Sequence, residues 1–316
     1  MDDNSKRYDN LENTLQRIHE KYISLSDKEM KRNNVILKKV LNHMVQEMQE
    51  KSKLFKSLFR EIFFGGSYYD GLKVGSPNEY DIDLLLRFPD TAKPVVETSE
   101  KPGYVRVYLQ DSIDFETLCE EGKKRYVNNE KVIKWIQSVV QLVLNDFEYS
   151  DSWYMINPIC GEDLKMKTTR AGPAFTLHLR GTIDTNPVDM DIDLVTCFKF
   201  GADMWPNGFK ENPCSEAYLG DFFVVPKPPK VDSYKGRYWR LSFQQQERNL
   251  IIGKERFKSA IRFLKKMRTV LDHKKISSYY IKTVALWETE EKHDWDSYSL
   301  SYTFMLVTYL CYYVVM

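Results

Sequence analysis

Two short runs in this chain carry a carboxylate at every second position: Glu79, Asp81 and Asp83 in NEYDIDLLL, and Asp189, Asp191 and Asp193 in PVDMDIDLV. Strand side chains alternate between faces, so the acids of each run share one face and the intervening Tyr80, Ile82, Leu84 or Met190, Ile192, Leu194 share the other. The pattern predicts two strands with one apolar face each. It also demands a reason for setting like charges about 7 Å apart along a strand. A solvated edge that discourages pairing is one reason. Two such runs in β-like apolar context favour another, carboxylates approaching a divalent cation from more than one direction; magnesium suits oxygen donors and leaves room for phosphate. Just upstream, Gly65, Gly66 and Ser67 offer unobstructed backbone amides and a hydroxyl, a turn able to cradle a phosphate.

The segment GGSYYDGLKVGSPNEYDIDLLLRF is followed in order by IDLVTCF, by YWRLSFQQQE at 238–247, by IRFLKKM at 261–267 and by SSYYIKT at 277–283. Together these resemble the Mab-21 and cyclic GMP-AMP synthase family, nucleotidyltransferases of the DNA polymerase β type. The resemblance implies a bilobal α/β fold. A nucleotidyltransferase core with a long spine helix is expected over 1–205 and a helical C-terminal lobe over 206–316, with the active site in the cleft between them. Glu79, Asp81 and Asp193 are then the catalytic acids, holding two magnesium ions for which manganese can substitute. Asp193 is preferred over Asp191 because the family's acid precedes apolar residues, as in D-L-V, and because its distance to Trp205-Pro206 fits better; Asp83 is a spare.

Nucleotide contacts follow from the same resemblance. Gly66 and Ser67 lie on the phosphate turn. Arg240 in W-R-L-S-F carries a planar fork suited to a purine edge or a phosphate, or equally to stacking on its aromatic neighbours; the resemblance assigns it to the nucleotide, with Ser242 and Glu247. Lys265 corresponds to a phosphate-gripping lysine flanked by Arg262. Ser278 and Tyr279 correspond to a serine on triphosphate oxygens and a tyrosine stacked on a base, with Lys282 assisting, and a Ser-Ser helix start exposes free amides to an anion. The implied activity makes a cyclic dinucleotide from ATP and GTP when double-stranded RNA binds, with oligomerisation on the RNA. Adding nucleotides to an RNA end is a second use of such a core, and a silent binding scaffold a third.

Lysine and arginine number 46 against 45 acids, but this balance hides basic and acidic blocks, an asymmetry that points to a polyanion on one face. Ser26 and Glu29 form a capping box, after which Leu37, Val40, Leu41, Met44, Val45 and Met48 recur at helical spacing. The opposite face is basic. Lys38, Lys39, Lys51 and Lys53 are either a solvated surface or a stripe for phosphates, and the resemblance selects the stripe.

Cys119, Cys160, Cys197, Cys214 and Cys311 form no C-x-x-C pair and no signal peptide precedes them, so a reduced, cytoplasmic protein without structural zinc is expected. Vertebrate members of the family insert a zinc thumb after R-L-S-F. Only 248–256 separates that motif from the next helix here, which argues against DNA as the trigger. The apolar run at 302–316 is shorter than the roughly 18 residues of a membrane span and reads as a buried helix; the resemblance implies a short tail beyond it, so the stop at Met316 reads as a truncation or a shorter isoform.

Remaining expectations are a loop at 89–102, a strand at 103–109, a helix at 131–147, and a hairpin of 175–183 with 188–198 turning at Thr185-Asn186-Pro187. An irregular connection at 200–229 leads to helices at 244–252, 255–271, 277–288 and 295–315. His178, on the hairpin, is given no role.

Overall fold

A computed structural model describes residues 8–160, 163–206, 220–230, 235–273, 275–289 and 295–315. Cys214 and the 207–219 part of the irregular connection lie outside the described residues. Helix α1 (Asp9–Ile18) and a π-helical turn (His19–Ile23) precede the long helix α2 (Asp27–Lys51). The capping box forms at its start, where Ser26 Oγ accepts from the Glu29 amide at 3.4 Å. All six apolar positions of the spacing are buried, while Lys38 and Lys39 are exposed. Ser52 ends the run by turning its hydroxyl to the Phe55 amide at 3.1 Å, capping α3 (Lys53–Leu58). Lys51 is ion-paired with Asp146 at 2.5 Å.

Next come β1 (Phe59–Gly65), the single turn α4 (Gly66–Tyr69) and β2 (Glu79–Leu86). The stretch expected to be a loop contains a strand, β3 (Pro94–Thr98), laid antiparallel on β4 (Tyr104–Leu109); its proline begins the strand, where a missing donor is tolerated. β5 (Arg125–Tyr126) leads to α5 (Asn129–Leu144), capped by the Asn128 side chain. Then follow β6 (Tyr149–Ser150), β7 (Trp153–Met155), the short α6 (Asn157–Cys160), β8 (Leu164–Ala171), β9 (Ala174–Ile183) and β10 (Asn186–Phe200). The β9–β10 turn is Asp184-Thr185 and not 185–187, with Ile183 facing Asn186. Both turn residues have positive φ, 47° and 67°, the handedness that lets a two-residue loop follow the twist of its strands.

β11 (Phe222–Val225) lies in the stretch expected to be irregular, and all four of its residues are buried. It is followed by β12 (Tyr238–Ser242) and by helices α7 (Gln244–Ile251), α8 (Glu255–Val270), α9 (Ser278–Thr289) and α10 (Leu300–Val315). These helices agree closely with expectation. Among the described residues no helix is long and apolar enough to cross a membrane.

Two compact units result, each discontinuous in sequence. The sheet unit holds Lys31–Gly65 and Asn78–Phe243, and the helical unit holds the chain up to Met30, Gly66–Pro77 and Gln244–Met316. The expectation of one cut near residue 205 differs from this partition, because β11 and β12 complete the sheet while the 66–77 segment belongs with the helices. In the sheet unit β10 pairs antiparallel with β9 and β11 and parallel with β2. Phe88 stacks on Phe198 at 4.4 Å, Trp239 meets Phe198 edge-on, and the Trp239 indole donates to the Val127 carbonyl at 2.9 Å. The helical unit buries Phe257, Ile261, Ile281, Val284, Ala285, Trp295 and Val307. Phe257 and Trp295 lie 4.7 Å apart.

Candidate active site

The acidic runs meet in the sheet unit. β2 and β10 run parallel with Glu79 beside Asp191, Asp81 beside Asp193 and Asp83 beside Val195, and residues paired in this way project from the same face of a sheet. On the other flank, β9 sets Arg180 opposite Asp189, His178 opposite Asp191 and Thr176 opposite Asp193. The three acids of β10 therefore have different neighbours. Arg180 bridges two of them, reaching Asp189 at 3.0 Å and Asp191 at 2.9 Å, and His178 Nδ1 meets the same Asp191 oxygen at 2.8 Å. Burial alone would raise the Asp191 carboxyl, but the hydrogen bonds from His178 and Arg180 carry it below the ordinary carboxylate value. Among the described residues Asp193 accepts the Thr176 hydroxyl, at 2.5 Å, and it is the β10 acid in register with Asp81.

Further along this face the acids give way to a dry cluster. Leu85, Cys197, Phe223 and Val225 pack with Phe63 and Val195. Asp83, buried, lies at the boundary, and burial together with its charge pushes the Cys197 thiol well up. Arg240 is exposed and pairs in register with Val225 and Tyr104, whereas Ser242 is buried opposite Phe223. The charge of Arg240, with burial and Lys230, draws the Lys227 ammonium below its ordinary value.

Glu79, Asp81 and Asp193 supply oxygen donors from two neighbouring strands, which fits a hard divalent ion in chemistry and in register. The side chains are not closed around one. Among the described residues no three His, Cys, Asp or Glu groups are drawn together tightly enough to hold a metal ion.

In the helical unit, Gly66 adopts φ 72°, and the turn it opens is closed by the Asp70 amide on the Gly66 carbonyl and the Leu72 amide on the Ser67 carbonyl. Three of the residues expected to bind nucleotide, Glu247, Tyr279 and Lys282, converge here on one another. Lys282 lies between Asp70 at 2.8 Å and Glu247 at 2.7 Å, and the Tyr279 hydroxyl donates to Glu247 at 3.0 Å. Lys265 donates to the Leu72 carbonyl at 2.7 Å. At the start of α9 the Ser277 hydroxyl already accepts the Tyr280 amide, so one of the expected free amides is taken; Ser278 is exposed. Arg262, three residues before Lys265 on α8, donates to the Ser259 hydroxyl at 2.9 Å.

Residues 68–253 match the Mab-21 protein nucleotidyltransferase domain and 256–311 the Mab-21 protein HhH/H2TH-like domain. Fold and match together define a nucleotidyltransferase of the Mab-21 class. The chain is similar to a cyclic GMP-AMP synthase-like receptor of Aethina tumida, 43% identical over 313 residues, covering 95% of this chain and 76% of that one. Receptors of the same name from Tribolium castaneum and Nicrophorus vespilloides are 40% and 35% identical, covering 89% and 94% of this chain and 73% and 80% of theirs. The chain belongs to the cyclic GMP-AMP synthase-like receptor family.

Proposed function

We propose that this nucleotidyltransferase joins ATP and GTP into a cyclic dinucleotide second messenger when double-stranded RNA binds it, as a cytoplasmic sensor in innate immunity. The observation that carries the reading is the register of Asp193 with Asp81, two carboxylates on adjacent strands where a scaffold gains nothing from their repulsion. Glu79, Asp81 and Asp193 would hold two magnesium ions, or manganese, which when bound acidify the attacking ribose hydroxyl and offset charge on the departing pyrophosphate. Arg180 and His178 hold Asp191 and so leave Asp193 to that task. Gly66, Ser67, Lys265 and Ser278 contact phosphates, while Arg240, Ser242, Glu247, Tyr279 and Lys282 hold the nucleotide. Lys265 donates to the Leu72 carbonyl and Lys282 to Asp70 and Glu247, and an ammonium has three donors to share between such acceptors and the nucleotide. Lys38, Lys39 and Lys53, all exposed, with Lys51 beside them, carry the RNA backbone.

Incubating the purified protein with all four labelled nucleoside triphosphates and magnesium, with and without duplex RNA or DNA, tests the reading. An RNA-stimulated cyclic dinucleotide that disappears in Asp81→Asn supports it. Label added to RNA ends would instead identify an RNA-end transferase, and absence of any product a binding scaffold.

A further inference from the structure

Asp70 is a buried acid to which neither the acidic strands nor the expected nucleotide contacts assign work. Its side chain is 4% exposed, and each oxygen takes a cation: Arg248 Nε at 3.0 Å on Oδ1, Lys282 Nζ at 2.8 Å on Oδ2. Its own amide donates to the Gly66 carbonyl at 3.1 Å, and two residues on the Leu72 amide donates to the Ser67 carbonyl at 2.7 Å. Asp70 thus ties the turn bearing Gly66 and Ser67 to α7 through Arg248 and to α9 through Lys282. The Lys265 bond to the Leu72 carbonyl adds α8. Glycines with φ of 72° and 74°, Gly66 and Gly71, bracket the tethered stretch, so its backbone can reverse direction at both ends without strain.

We infer that Asp70 is a positioning residue that sets the Gly66-Ser67 turn for the nucleotide, an inference that rests on the proposed function. Charge decides between holding and attracting. Asp70 and Glu247 carry two negative charges, and Arg248 and Lys282 two positive ones, so these four salt-bridged groups add no net charge for a triphosphate beyond that of Lys265. What they contribute is fixed geometry, because a buried carboxylate with both oxygens engaged cannot turn away without stranding two cations. An ammonium has three donors, and Lys282 spends two on Asp70 and Glu247. The third is held in place by those two.

The test uses the full chain and a fluorescent ATP analogue with magnesium, comparing the parent with Asp70→Asn, Ser67→Ala, the double variant and Asp70→Glu. Positioning through the turn predicts at least tenfold weaker binding in Asp70→Asn, no further loss when Ser67→Ala is added, and partial recovery in Asp70→Glu. Equal or tighter binding by Asp70→Asn, or additive losses, overturns it; tighter binding is what simple removal of a negative charge would give. Hydrogen exchange is read in parallel at the Asp70 and Leu72 amides, where Asp70→Asn should exchange faster. Should the parent bind no nucleotide, the proposed function fails and the exchange measurement alone decides, unchanged protection overturning the inference. If Asp70→Asn does not fold, Arg248→Gln, which removes one of the two tethers, takes its place with the same expectations.

Discussion

Asparagine substitutions at Asp191 and Asp193 should part stability from activity, although the two residues are neighbours on one face of β10. Asp191 receives two charge-assisted hydrogen bonds, from His178 and Arg180, at a side chain 37% exposed. Such bonds contribute about 1.5–3 kcal/mol each when buried, and solvent at this exposure brings the pair down to about 1–2 kcal/mol in total. Among the described residues Asp193 receives one, from the Thr176 hydroxyl, and it lies in register with Asp81 on the next strand. Two charges about 5 Å apart repel by roughly 1 kcal/mol even in a medium as polar as water, so removing the Asp193 charge returns much of what the lost hydrogen bond costs. Asp191→Asn should therefore lower the melting temperature by a few degrees and retain most nucleotidyl transfer at a temperature where it is folded. Asp193→Asn should melt within about a degree of the parent and make no product. Scanning calorimetry and product chromatography on the same preparations read both quantities. If Asp191→Asn is dead while folded and Asp193→Asn turns over, the third acid is Asp191 and the argument from register is wrong.

Reversing charge at Lys38, Lys39 and Lys53 should flatten the log-log salt dependence of duplex RNA binding and lower activation, with a smaller effect at Lys51, which already serves Asp146; equal stimulation by duplex DNA would refute the choice of ligand. His19 has its pKa lowered, first by burial and then by the Arg262 charge, from an ordinary value of 6.5. Its unfolded form takes up a proton more readily than its folded form, so stability should fall as pH drops through 6.5 toward the folded value. His19→Gln should remove that limb from denaturation curves taken between pH 7 and 5, and an unchanged limb would assign it elsewhere. In Arg240→Met the Lys227 ammonium should titrate at higher pH than in the parent, followed by NMR of its methylated amine, since the like charge that depresses it is gone. A Lys227 titration that stays put would mean burial sets it.

Much of this was legible in the chain because periodicity survives folding. The apolar positions of α2 and the alternation of β2 and β10 are local properties, and each is buried as its spacing requires. The polar partners of β10 depended on one turn. Centred at Asn186, the hairpin would set Asp193 opposite Leu179 and Asp191 opposite Gly181; centred between Asp184 and Thr185, it sets them opposite Thr176 and His178. A shift of that kind flips every side chain to the other face, which is why no partner on β10 is expected for Thr176 or Arg180 and why His178 has no role until the register is known. Asp184 and Thr185 take positive φ without glycine, so the sequence carried no strong turn signal there. The Asp70 network was illegible for a different reason: its partners at 247, 248 and 282 are far away in the chain, and no periodicity links them. Strands as short as β6, β7 and β11 exist through pairing and burial more than through local preference.

The pairing of β2 with β10 also has a consequence for how the protein is made. Asp81 and Asp193 sit side by side although more than a hundred residues separate them, and their strands are parallel, so no tight hairpin can bring them together. Closing so long a loop is entropically costly before any contact rewards it, and non-local pairings of this kind are slow to form. As the chain leaves the ribosome, Glu79 and Asp81 emerge well before Asp193 exists. A nascent or partly folded chain therefore has no assembled acidic pair, and the metal site proposed for that pair cannot form until the β2–β10 seam closes.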